Sequence, residues 1–66
     1  MNIIRTYNSQ NEILYEEHFA TAEETYTEYC NCIRLLKAKL PKGHEITVTR
    51  WRYGTIMAME TIEGTK

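Results

Sequence analysis

The run Thr49-Arg50-Trp51-Arg52-Tyr53 gathers the side chains best suited to recognition in this chain. Guanidinium groups pair with phosphate or carboxylate, and Trp and Tyr stack on bases, the combination that single-strand nucleic-acid binding uses. The same residue types are also the usual anchors of protein–protein hot spots. Lys37, Lys39 and Lys42 extend the basic set, so Arg50, Arg52 and these three lysines form the candidate partner-binding group. The bland alternative leaves both arginines solvated, or pairs them with Glu16, Glu17 or Glu60. A sequence pI near 6.1 weighs against a dedicated nucleic-acid binder, whose domains typically exceed a pI of about 9.

Covalent chemistry has less to work with. His18 and His44 are the only candidate general bases of their type, Ser9 is the only serine, and the chain has no Asp. Cys30 and Cys32 sit at i, i+2, which on a helix points them about 200° apart and forbids an internal bridge. A zinc site needs four ligands, typically in two closely spaced pairs, and beside Cys30 and Cys32 the sole further candidates, His18 and His44, stand in no recognised spacing. Glu16 and Glu17 are neighbours on a strand and face opposite ways, while Glu23 and Glu24 are explained by helix capping. Gly43, Gly54 and Gly64 form no phosphate loop. The chain therefore reads as non-enzymatic, with no catalytic, cofactor-binding or metal-binding residue.

These side chains must be positioned by a single domain of 66 residues. A domain this small buries only about 60% of the surface its unfolded chain exposes, and one core rarely supplies more than about 3 to 5 kcal/mol. With disulfide and metal staples unavailable, subunit pairing is the expected remedy. No apolar run is long enough to span a bilayer, and Met1-Asn2-Ile3-Ile4-Arg5 lacks the pattern of a signal peptide. Two unpaired thiols agree with a reducing compartment, so a soluble, cytoplasmic protein is expected. The formal charge of −1 conceals a division. Residues 1–33 hold six Glu against Arg5, net −5, whereas residues 34–66 hold seven basic residues against three Glu, net +4.

Periodicity predicts a ββαββ order, with strands at about 3–7, 12–19, 45–51 and 55–62 and a helix at about 22–40. Asn8-Ser9-Gln10-Asn11 is the first turn, and Tyr53-Gly54 the second. In the second strand Ile13, Tyr15 and Phe19 share the parity expected to face the core. Period alone does not choose between Ile3 and Ile4. Thr21-Ala22-Glu23-Glu24 reads as a capping box. Ala22, Tyr26, Tyr29, Ile33, Leu36 and Leu40 form one helical stripe, flanked by Cys30 and Leu35, with Cys30 expected to pack. Pro41 and Gly43 end the helix. In the last strand Ile56, Ala58 and Ile62 oppose Met57, Met59 and Thr61. A strand apolar on both sides is expected in the middle of a sheet, because an edge of that kind invites pairing with other chains. Glu63 to Lys66 is expected to fray.

In element order and spacing the chain resembles the small β-grasp domains. That resemblance implies a right-handed crossover with strands one and four parallel at the centre; an all-antiparallel sheet in another strand order fits the same pattern. Either way, one helix covers one face of an α+β sheet, so the opposite face meets water or a partner. Trp51, Tyr53, Met57, Met59 and Leu14 are the candidate interface residues on that face, since Trp, Tyr and Met are enriched at interface cores. The expected function is a non-enzymatic, homodimeric protein-binding module. It would be an accessory regulator or inhibitor of a larger protein or ribonucleoprotein complex, of the kind phages and mobile elements encode, such as anti-CRISPR or anti-restriction proteins. The alternatives are a nucleic-acid-binding regulator working through Arg50-Trp51-Arg52-Tyr53 and the nearby lysines, and a monomeric scaffold with Trp51, Met57 and Met59 in its core.

Overall fold

The computed structural model describes residues 1–66 as β1 (Asn2–Tyr7), β2 (Ile13–Phe19), α1 (Ala22–Lys39), β3 (Glu45–Arg52) and β4 (Thr55–Glu63). Helix α1 begins where the capping box places it. The Thr21 hydroxyl oxygen accepts from the Glu24 backbone N–H at 3.1 Å, and the same hydroxyl donates to the Glu24 carboxylate at 3.0 Å. Glu23 and Glu24 in the first turn and Lys37 and Lys39 in the last suit the helix dipole. The Leu40 N–H closes the last turn on the Leu36 carbonyl at 2.9 Å, and Pro41 cannot continue the ladder.

The four strands form one antiparallel sheet in the order β2-β1-β3-β4. This is the antiparallel alternative. The parallel pairing of first and last strands that the β-grasp resemblance implies does not occur, because β3 lies between β1 and β4. It also overturns the central position expected for β4, which is an edge. The edge is tolerated because β4 is bulged near its start and carries Glu60 and Glu63, two devices that blunt an exposed ladder.

Both outer strands carry a bulge. On β2 the pairing jumps from Thr6–Tyr15 to Tyr7–Ile13, leaving Leu14 as the extra residue. On β4 it jumps from Arg50–Ala58 to Trp51–Ile56, leaving Met57 as the extra residue. A bulge shifts the parity of everything beyond it. Ile13 and Ile56, expected on the core face, therefore share the opposite face with Tyr7 and Trp51.

Helix α1 packs on the face bearing Ile4 and Val48, both fully buried, with Tyr29 from the helix completing the central cluster. Phe19, Cys32, Ile33, Leu36, Ile46 and Ala58 pack around it. The helical stripe is rotated from expectation. Thr25 and Cys32 turn inward, Cys30 is exposed, and Tyr26 lies outside with its ring 5.6 Å from the Arg50 guanidinium. Thr25 is accommodated because its hydroxyl donates to the Thr21 carbonyl at 2.7 Å. Ile3 and Ile4 are both buried, Ile4 under the helix and Ile3 on the other face beside Trp51.

Both hairpin turns use left-handed backbone. Tyr53 (φ 50°) and Gly54 (φ 76°) form a two-residue loop of the primed type that matches strand twist. In the first turn Asn11 is left-handed, and the Asn8 carboxamide oxygen accepts from the N–H groups of Gln10 and Glu12, each at 2.9 Å. The tail is held rather than frayed. Gly64 N–H donates to the His44 carbonyl at 2.8 Å, and Lys42 N–H donates to the Lys66 carbonyl at 2.7 Å. Gly64 lies so close to the Pro41 carbonyl that an added Cβ would stand 1.8 Å from its oxygen.

Candidate functional site

The sheet face away from α1 is built around Trp51, and its residues come from all four strands. The indole N–H of Trp51 donates to Thr49 Oγ1 at 2.8 Å, and the Thr49 hydroxyl donates to the Arg5 carbonyl at 3.0 Å. Thr49 is itself buried, so these two bonds satisfy a hydroxyl that would otherwise be costly to hide. The Arg5 guanidinium lies over the Trp51 ring, 4.9 Å from its centroid, within cation–π range. Arg5 Nε in turn donates to Glu16 Oε1 at 2.6 Å, while Glu16 Oε2 meets His18 Nε2 at 2.9 Å. The His18 hydrogen bond and the Arg5 pair together hold the Glu16 carboxyl below the usual carboxylate range. One linked series of contacts thus runs from β2 through β1 to β3 and fixes the indole.

Beside that series, on the β3–β4 side, Tyr7, Thr47, Trp51, Ile56 and Met59 line a shallow, mostly apolar groove of about 210 Å³. Met59 is 64% exposed, Ile56 45%, and the indole half-buried. A fixed aromatic ring in such a groove has already lost the rotamer freedom that binding would otherwise cost.

Two of the sequence-predicted interface residues, Trp51 and Met59, meet here. Tyr53, Leu14 and Met57 are exposed but stand elsewhere: Tyr53 in the hairpin turn, Leu14 and Met57 at the two bulges. Trp51, Met57 and Met59 are not part of the helix-covered core. Ile56 and Tyr7 were missed, Ile56 because the β4 bulge leaves no mark in the alternating pattern and Tyr7 because period does not decide which way the 3–7 strand faces.

The basic group is divided. Arg50 and Arg52 share the helix-side parity of β3, opposite Trp51, at the end where α1 starts. Lys37, Lys39 and Lys42 lie at or beyond the last turn of the helix, so the shared basic edge does not form. Lys37 pairs with Glu60 at 3.1 Å, and Glu16 is taken by Arg5. No carboxylate pairs with Arg50 or Arg52. Arg50 Nε is buried without a hydrogen-bond acceptor, and Arg52 lies 5.5 Å from the centroid of the Tyr53 ring.

On the β2 flank of the helix the chemistry is acidic. The Tyr15 hydroxyl donates to the Glu17 carboxylate, which pushes the phenol up to about 12. Cys32 Sγ lies 3.8 Å from Glu28, and burial with that carboxylate pushes the thiol up, away from the thiolate a nucleophile needs. His18 and His44 are far apart in chain position, and no group of three or more His, Cys or Glu side chains is gathered to hold a metal ion. No helix is long and apolar enough to cross a membrane.

The class these features define is a small α+β domain of ββαββ layout with an antiparallel sheet open on one face. Comparison with protein-family models, with curated proteins and with solved structures finds no match.

Proposed function

We propose that this chain is a non-enzymatic protein-binding module that pairs with a second copy of itself through the open sheet face. The observation that carries this reading is the clamped Trp51 at the wall of an apolar groove on a face that no element of the chain covers. Four strands about 4.8 Å apart and some 23 Å long give a face of roughly 440 Å², so that complete pairing would bury about 900 Å² in total, at the small, reversible end of protein interfaces. The chemistry is arranged for a two-fold contact. Trp51, Ile56 and Met59 gather on the β3–β4 half of the face and Arg5, Glu16 and His18 border them on the β1–β2 side, an apolar patch beside a polar margin, as self-pairing surfaces have.

Pairing leaves the helix side free, and that side divides into an acidic β2 flank and a β3–β4 end carrying Arg50 and Arg52. Such a dimer serves as an accessory regulator or inhibitor of a larger macromolecular complex, of the kind mobile elements encode. Its division of charge and its open apolar groove support that reading.

Sedimentation of the full chain beside Met59→Glu and Ile56→Glu tests the pairing. The expected result is a wild-type dimer at micromolar concentration and two folded monomers, their circular dichroism unchanged. A wild type that sediments as a monomer at hundreds of micromolar overturns the dimer.

A further inference from the structure

The end of the molecule where α1 begins carries two arginines without an anionic partner. Arg50 and Arg52 stand two residues apart on one face of β3, a separation of about 7 Å. Each lies within cation–π range of a tyrosine, Arg50 at 5.6 Å from Tyr26 and Arg52 at 5.5 Å from Tyr53. A ring stacked on a guanidinium occupies its flat face and leaves the in-plane N–H edge available, the edge that grips a carboxylate with two parallel bonds. Arg50 lines a groove with Ala22, Glu23, Tyr26 and Thr27, and its Nε is buried with no acceptor in the chain. The Arg50 charge is thus left without a counter-charge in the chain, and an anion in the groove would supply one through the part of the guanidinium that the groove exposes.

We infer that Arg50 and Arg52, flanked by Tyr26 and Tyr53, form a docking site for an acidic polypeptide segment that presents carboxylates on alternate residues. An extended chain places every second side chain about 7 Å apart on one face, which matches the two guanidiniums. Tyr and Arg are the side chains that dominate protein hot spots. A polyphosphate backbone suits the site less well. The further cations that a nucleic-acid strand needs are sparse: Arg34 stands about 12 Å beyond Tyr26 along the helix and already donates to Asn31, and Lys39 begins about 20 Å away. The inference rests on the reading of the chain as a protein-binding module, and it concerns the face opposite the dimer groove.

The test titrates the full chain at low salt with an end-blocked peptide bearing Glu at alternate positions, and in parallel with an oligothymidylate of equal charge. Binding is followed through the arginine Nε–Hε resonances. The expected result is a saturable shift at Arg50 and Arg52 with the peptide, none at Arg5, whose Nε already donates to Glu16, and at least tenfold weaker binding for Arg52→Lys. Arg52 is exposed, so that variant folds even if Arg50→Lys does not. Met59→Glu should bind the peptide as wild type does, which separates this site from the pairing proposal. The inference is overturned by an absence of saturation below millimolar peptide, by an equal shift at Arg5, or by oligothymidylate binding as tightly as the peptide.

Discussion

The two faces of this sheet solve opposite problems with the same strands. Under the helix, Ile4 and Val48 are sealed at 0% exposure by Tyr29 and its neighbours, and cohesion there comes from excluded water and close packing. On the other face the central residues are held by directed contacts: Trp51 on Thr49, Thr49 on the Arg5 carbonyl, Arg5 on Glu16. The first face is covered within the chain itself. The second is held by polar links while Ile56 and Met59 keep their apolar surface outward. Directed contacts and burial are thereby divided between the two faces of one sheet.

If that contrast is right, Ile4→Ala is the most damaging single change. Truncating a fully buried Ile should cost about 2 to 4 kcal/mol, most of the stability a domain of this size holds, and urea unfolding should find it largely unfolded at 37 °C. Thr49→Val keeps the volume but strands the Trp51 indole N–H and the Arg5 carbonyl. A loss of about 1 to 2 kcal/mol is expected, together with a red shift in tryptophan emission; a change below a few tenths of a kcal/mol would show that the open face is not held by these bonds.

Acid gives a smaller handle. A carboxyl that is more acidic folded than unfolded contributes stability above its unfolded pKa and loses it as the pH falls through its folded value. Glu16, held down by His18 and Arg5, should therefore make wild-type urea midpoints fall more steeply below the ordinary carboxylate range than those of Glu16→Gln. Met59→Glu should be nearly silent for the stability of the dilute chain, within about 0.5 kcal/mol. A large loss there would move Met59 into the folding core and erase the distinction between the faces.

Local signals in the sequence were enough for the elements and the helix start, because Thr21, Pro41 and the β-branched run from Ile46 to Thr49 act on their own neighbourhoods. Strand order was not legible. It depends on which ladders form between strands of similar composition, and the two-sided apolar character of β4, which argues for a central place, records the open-face groove instead. The bulges at Leu14 and Met57 were equally silent, and each carried an isoleucine to the other side. Of the site, Trp51 and Met59 could be placed by alternation. The Arg5 stack, the Tyr26–Arg50 contact and the Gly64 abutment on Pro41 join residues distant in sequence, for which spacing holds no cue.

One consequence follows from the strand order. β1 and β4 each run antiparallel to β3 and hence in the same direction, so the start of β1 and the finish of β4 lie at opposite ends of the sheet. A tensile load applied through those two points slides the strands past one another and strains many ladder bonds together, where a peeling geometry would break them singly. Stretched in that direction, the domain should resist with a force well above what its modest core would lead one to expect.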